Sequence, residues 1–242
     1  MNFIIPYYED ERMIYTQKYL VNQGYHEVFD KSKADFAVFS PACDKESFAP
    51  YENKTVFYGA GDYDKKHKNF FDYNKREDFK YKNALLTREG AIAIYKENSD
   101  KAILGANILI TGFGAIGKAL CSTLKNMGAK VTVCARSSIN QAQAETIADK
   151  IIDFSSINCS KYDVIFNTVS AVYFTKKEIA TFKNDTIYIE LASFPGGIDK
   201  HYAKSKNINI IVASKLPSRY SKETAGYLIG EAIDKMIKEG KV

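Results

Sequence analysis

Near the middle of the chain, Gly112-Phe113-Gly114-Ala115-Ile116-Gly117 follows a short apolar run, Asn107 to Thr111, and opens a stretch with helical periodicity. A glycine-rich turn between a strand and a helix is the arrangement that cradles a dinucleotide. The first glycine permits the tight turn, the second keeps side chains away from the pyrophosphate, and the third lets helix and strand pack closely. The helix start adds free N–H groups and the positive end of its dipole. An ordinary glycine-rich turn would carry the same letters. The strand before it and the second strand, Lys130 to Ala135, after its helix are what make the motif specific.

The end of that second strand reads Ala135-Arg136-Ser137-Ser138, where a site for NAD usually has an acidic residue for the ribose 2′-hydroxyl. A guanidinium with two hydroxyls suits a 2′-phosphate instead, so the expected cofactor is NADP. Open α/β sheets bind ligands beyond the carboxyl ends of their strands. This marks Asn167, Thr168 and Val169, then Ala192 and Ser193, as further cofactor residues, with Asn167 and Thr168 facing the nicotinamide ribose.

The elements that must position these residues follow from hydrophobic period and punctuation. Phe3–Pro6, 34–40 and 55–59 read as strands, and a helix capped by Asp10 places Met13, Ile14, Gln17, Leu20 and Val21 on one face before Gly24. Residues 62–82 are charged, aromatic and aperiodic, and read as loop or edge structure. A helix over 88–97 with Thr87 as its cap comes next. From Asn107 onward strands alternate with helices: 107–111, 130–135, 151–153, 163–167, 186–191 and 208–212, with helices after Gly114 and over 142–148. Near-continuous apolar strands between helices imply a parallel sheet covered on both faces. The expected fold is therefore α/β, a Rossmann doubly wound parallel sheet with a smaller N-terminal α/β domain. The expected domains are a substrate domain over 1–85, a connecting helix over 86–102, the dinucleotide domain over 103–222, and a C-terminal helix over 223–242 that packs back on the first domain.

Composition excludes several classes. With 242 residues, 45% apolar and 26% charged, the chain is neither disordered nor fibrous. The longest uncharged stretch, Ala102 to Gly117, is shorter than the ~20 apolar residues of a membrane helix. The first twelve residues lack a secretory pattern, so the expected location is cytoplasmic, with no membrane association. Cys43, Cys121, Cys134 and Cys159 form no CxxC pair, and His26, His67 and His201 form no ligand spacing, so neither a metal nor a disulfide framework is expected. The net charge of +5 is spread along the chain rather than concentrated, which argues against nucleic acid and for a mild field that favours anionic ligands.

Five segments together resemble the A subunit of dipicolinate synthase: Asp10-Glu11-Arg12, Thr87-Arg88-Glu89-Gly90-Ala91-Ile92, Asn167-Thr168-Val169-Ser170, Glu190-Leu191-Ala192-Ser193-Phe194-Pro195-Gly196-Gly197-Ile198-Asp199, and Leu216-Pro217 with Thr224-Ala225-Gly226. The likeness runs from about residue 84 to 230. The chain departs from the family pattern at Tyr7-Tyr8, Glu190, Ser218 and Ser221-Lys222, and its N-terminal domain is short. The resemblance implies an NADP-dependent oxidoreductase of sporulation that oxidises a dihydrodipicolinate-type ring to pyridine-2,6-dicarboxylate with a flavoprotein-like B subunit. A small dicarboxylate substrate needs cations, and Arg12, Arg88, Lys215 and Arg219 are the candidates; Asp10 could orient Arg12, take the proton, or only cap its helix. Self-association is left open. The alternatives are another NADP-dependent dehydrogenase of a small carboxylic acid and a nucleotide-binding subunit without catalysis of its own. The sequence lacks a His-Glu pair of the hydroxyacid dehydrogenase kind.

Overall fold

The computed structural model describes all residues except 60–62, 64–65 and 241–242, together with the side chain of residue 45. The chain divides into two compact units, Met1–Leu86 with Pro217–Val242, and Thr87–Leu216.

The first unit holds a five-stranded parallel sheet in the order β2-β1-β3-β4-β5. Its strands are β1 (Asn2–Ile4), β2 (His26–Glu27), β3 (Phe36–Val38), β4 (Thr55–Tyr58) and β5 (Phe70–Asp72). Successive side chains on a strand point to opposite faces, and both faces here are apolar. Phe3, Phe36, Val38 and Phe57 pack with Met13 and Leu20 of α1 (Arg12–Asn22) and with Ile229, Ile233 and Met236 of α8 (Lys222–Lys238). Ile4, Ala37, Phe39, Val56 and Tyr58 form a second cluster with Phe48, Tyr51 and Phe70. The helices α1 and α8 approach so closely that a Cβ on Gly226 would lie 2.4 Å from the carbonyl oxygen of Arg12. Thr16 donates its hydroxyl to the carbonyls of Arg12 and Gly226 across that contact.

The second unit holds a six-stranded parallel sheet in the order β11-β10-β9-β6-β7-β8. Its strands are β6 (Asn107–Thr111), β7 (Lys130–Cys134), β8 (Lys150–Ile152), β9 (Val164–Asn167), β10 (Ile187–Glu190) and β11 (Asn209–Val212). Counted from β6 this is the 3-2-1-4-5-6 order of a dinucleotide-binding sheet, with its switch point between β6 and β9. The fold expected from the sequence, an α/β Rossmann sheet preceded by a smaller α/β domain, is the fold found. The helices α3 (Ala115–Asn126), α4 (Ser138–Glu145), α5 (Lys176–Ile179) and α6 (Lys200–Ser205) connect the strands, and α7 (Leu216–Tyr220) follows β11. Among the described residues no helix is long and apolar enough to cross a membrane.

Several local expectations change. The stretch read as loop contains β5 and the start of α2 (Glu77–Glu97), so Thr87 lies inside a helix instead of capping one. The division between units falls within this helix, between Leu86 and Thr87. Phe79 belongs to the core of the first unit, whereas Ala91, Ile94 and Tyr95 are buried in the second, so no single period runs through α2. The connecting helix is thus not confined to 86–102, and residues 217–222 lie with the first unit. In α1 the buried face is Arg12, Met13, Thr16 and Leu20, while Ile14 and Val21 are exposed. Met13 and Leu20 pack with the apolar residues of α8, and Arg12 and Thr16 are buried beside them. The polar helix begins at Ser138, four residues before the expected start, with Ser137 at its N-cap position.

Candidate active site

In the glycine turn, Gly112 adopts φ +87°, a left-handed conformation that other residues rarely take. A Cβ there would lie 2.5 Å from Thr168 Oγ1. Gly117 is constrained by contact: its Cβ would lie 2.3 Å from the carbonyl oxygen of Gly112. Gly114, with extended backbone at the N-cap of α3, would carry a Cβ that meets nothing within 4 Å. The turn is therefore packed at both ends and open at its middle. Ala115 is exposed and Ile116 half-buried in the first turn of α3, and no side chain caps the helix. Free N–H groups beside an open cradle are the donor set a pyrophosphate requires, and the residues present fit a dinucleotide. Phe113 follows Gly112 in the turn. Its ring is buried and lines a groove of about 540 Å³ with Lys118 and residues of α4.

At the end of β7, Arg136, Ser137 and Ser138 are exposed where α4 begins. The Arg136 guanidinium lies 5.9 Å from the centre of the Tyr173 ring, which in turn packs on Phe154 with centroids 3.8 Å apart. Arginine, two hydroxyls and a helix N-terminus together form an anion-accepting corner. Tyr173 is absent from the residues expected from sequence. Only the fold brings it beside Arg136.

The carboxyl ends of β6, β9 and β10 carry a row of buried polar side chains in direct register, Thr111 beside Asn167 and Asn167 beside Glu190. Thr111 donates its hydroxyl to Asn167 Oδ1 at 2.5 Å, and the Val169 N–H donates to the same oxygen at 3.3 Å. Asn167 Nδ2 donates to the Val169 carbonyl at 2.9 Å and to Glu190 Oε1 at 2.5 Å. A carboxamide has two donor hydrogens and two acceptor sites, so Asn167 is saturated within the protein. Asn167, expected from the sequence to bond the nicotinamide ribose, here uses its side chain to hold the turn after β9. Thr168 donates its hydroxyl to the Thr111 carbonyl at 2.7 Å. Val169 packs on Gly112. The Ala192 N–H is held by Glu190 at 3.1 Å, and Ser193 is exposed beside Phe194, which is 92% exposed.

The cation candidates separate. In the first unit, Asp10 and Arg12 form a buried fork: Nε donates to Asp10 Oδ1 at 2.9 Å, and Nη2 donates to Oδ2 at 2.5 Å. Asp10 also accepts the Arg12 N–H at 3.1 Å, so it caps α1 and orients the guanidinium at once. Arg219 lies in the same unit, exposed, with its guanidinium 5.3 Å from the Tyr220 ring. In the second unit, Arg88 donates to Thr123 Oγ1 at 3.3 Å and pairs with Glu89 at 2.9 Å, its Nε buried without a partner. Lys215, exposed and at φ +55°, belongs to that unit too.

Burial pushes the thiols of Cys121, Cys134 and Cys159 up to about 11, 12 and 12, which fits small core residues and not nucleophiles. Among the described residues no group of three or more His, Cys, Asp or Glu could hold a metal ion.

A family model described as the S-adenosyl-L-homocysteine hydrolase NAD-binding domain matches residues 83–226. The A subunit of dipicolinate synthase from Bacillus subtilis (strain 168) is 27% identical over 169 residues, a match that takes in 68% of this chain and 56% of that protein. The matched stretch thus spans little more than half the length of this curated relative. The crystal structure of the A subunit of dipicolinate synthase from Bacillus halodurans superposes with a TM-score of 0.86 at 22% identity, covering 98% of this chain and 97% of the other. That of the Bacillus subtilis protein gives 0.88 at 20% identity, with 98% and 95% covered. A transhydrogenase from Sinorhizobium meliloti gives 0.78 at 14% identity, with 99% and 94% covered. The resemblance read from the sequence motifs is borne out by the curated relative and the two dipicolinate synthase structures.

Proposed function

Because the chain belongs to the family of the S-adenosyl-L-homocysteine hydrolase NAD-binding domain, we propose that it is an oxidoreductase that binds a nicotinamide dinucleotide, NADP in preference to NAD, and oxidises a dihydrodipicolinate-type dicarboxylate to pyridine-2,6-dicarboxylate together with a B subunit. The observation that carries the reading is the open Gly114 cradle at the start of α3, packed on either side by Gly112 and Gly117. The NADP preference rests on the anion-accepting corner at Arg136, Ser137 and Ser138 in place of an acidic residue. The substrate and the B subunit rest on the relationship to the A subunits of dipicolinate synthase.

When bound, the nicotinamide supplies the hydride acceptor, and aromatisation of the ring drives loss of the accompanying proton to water. The protein's contribution is orientation and charge. Ala115 and Ile116 offer backbone N–H groups to the pyrophosphate. Arg136, with Ser137 and Ser138, pairs with the 2′-phosphate. Thr168, Val169, Ala192 and Ser193 shape the nicotinamide end through their backbone and packing. Arg12, oriented by Asp10, and Arg88, Lys215 and Arg219 are the candidate partners for the substrate's carboxylates.

The test is formation of dipicolinate from freshly generated dihydrodipicolinate, with NADP present, followed by chromatography with and without a matched B subunit. Product that depends on NADP and increases with the B subunit supports the proposal, and Arg12→Ala should then slow turnover while leaving cofactor affinity unchanged. No product with a matched B subunit, or full activity in Arg12→Ala, rejects this mechanism.

A further inference from the structure

Glu190 ends β10 and is only 2% exposed, in a row of polar residues that the cofactor reading above leaves without a role. Four donors converge on its two oxygens. Asn167 Nδ2 and the Ala192 N–H reach Oε1 at 2.5 and 3.1 Å. The Tyr188 hydroxyl and the Gly197 N–H reach Oε2 at 3.1 and 2.7 Å. An ionised carboxylate offers about four lone-pair sites and no donor, so this one is filled. Its hydrogen-bonding capacity is spent within the protein rather than offered to a ligand.

What it does instead follows from its partners. The Ala192 and Gly197 N–H groups stand at the two ends of the loop after β10, and both point at the same carboxylate. The loop closes on it tightly: a Cβ on Gly196 would lie 2.7 Å from Glu190 Oε2, and one on Gly197 would lie 2.4 Å from Asn167 Nδ2. Through Asn167, Glu190 also reaches the Val169 carbonyl and Thr111. One buried charge therefore ties together the ends of three neighbouring strands and the loops after β9 and β10. These loops lie beyond the switch point on the side of the sheet away from β7 and Arg136, the half that takes the second nucleotide of a bound dinucleotide.

We propose that Glu190 is a positioning residue for the nicotinamide half of the cofactor, holding the Asn167–Val169 and Ala192–Gly197 loops in the shape that half requires. The inference rests on the cofactor reading above and deepens it. Charge-assisted bonds from backbone N–H groups are shorter and stronger than neutral ones, which suits a residue that must keep two loops fixed while a ligand enters. An amide cannot replace it. In Glu190→Gln, one acceptor oxygen becomes an NH₂ group facing donors already committed to it.

The experiment compares whole and truncated ligands on the full chain by calorimetry: NADPH against 2′-phospho-ADP-ribose, which lacks the nicotinamide, with NADH against ADP-ribose in parallel. Glu190→Gln should weaken the nicotinamide-bearing ligand about tenfold and change the truncated one by less than twofold. Glu190→Asp keeps the charge but withdraws the carboxylate by one carbon, so it should show the same selective loss at smaller size, and it stands in if the Gln variant does not fold. Equal weakening of both ligands would mean general damage to the unit and overturns the proposal, as does a folded variant with wild-type affinity for both. Wild-type protein that binds neither dinucleotide refutes the cofactor reading itself, and the inference falls with it.

Discussion

Replacing Gly114 by valine separates binding from folding, and the structure sets the size of each effect. Gly114 has φ −77° and ψ −166°, an extended conformation open to any residue, and a Cβ there meets nothing within 4 Å. Valine is a poorer N-cap than glycine, a loss of about 1 kcal/mol. Removing a glycine from the unfolded chain recovers about 0.4 to 1 kcal/mol. The two nearly cancel, so the melting temperature should move by no more than about 4 °C. Binding should behave differently. The branched side chain fills the open middle of the turn and keeps a pyrophosphate from the first N–H groups of α3. Two charge-assisted bonds at about 1.5 to 3 kcal/mol each correspond to a loss of roughly a hundredfold or more in affinity. Thermal melts with and without NADP, combined with calorimetric titration, read both quantities on one sample. Gly117→Ala is the control with the opposite signature. Its Cβ would lie 2.3 Å from a backbone oxygen, and overpacking of that kind destabilises by about 1 to 3 kcal/mol. A folded Gly114→Val protein that binds NADP as wild type does would refute the placement of the cofactor at this turn.

Two further outcomes are expected. Arg136→Ala should remove a preference for NADP over NAD worth roughly ten- to a hundredfold, the scale of one charge-assisted bond of about 1.5 to 3 kcal/mol; equal calorimetric affinities for the two cofactors in the wild type would contradict the assignment. With thiol reagent at pH 8, the folded protein should label slowly and at Cys43 alone, because Cys121, Cys134 and Cys159 are buried with thiols raised to about 11 or 12; all four should react once the chain is unfolded, and fast labelling of a second thiol in the native state would show that the core is misassigned.

The glycine turn was legible from sequence because its chemistry is local. Gly112 to Gly117 are contiguous, and the positive φ of Gly112 and the contact of Gly117 with the Gly112 carbonyl arise within one strand-turn-helix unit. The alternation of strand and helix from Asn107 onward likewise carried enough information for a parallel Rossmann sheet, since burial on both faces leaves runs of apolar residues. Arg136 stood out by its distance along the chain from that turn. The start of α2 did not, because Phe79 serves one core and Ala91, Ile94 and Tyr95 another, which erases the helical period. Nor did the buried face of α1, which tertiary packing against Gly226 and Gly230 of α8 chooses over the more apolar stripe with Ile14 and Val21. The row of Thr111, Asn167 and Glu190 left one faint mark, a polar residue closing each of three apolar strands. These residues lie 56 and 23 positions apart in the chain, and only sheet register sets them side by side. Local propensity thus determined which segments form the turn and the strands, while the saturation of Asn167 and the burial of Glu190 were decided by hydrogen bonds that exist only after the strands have paired.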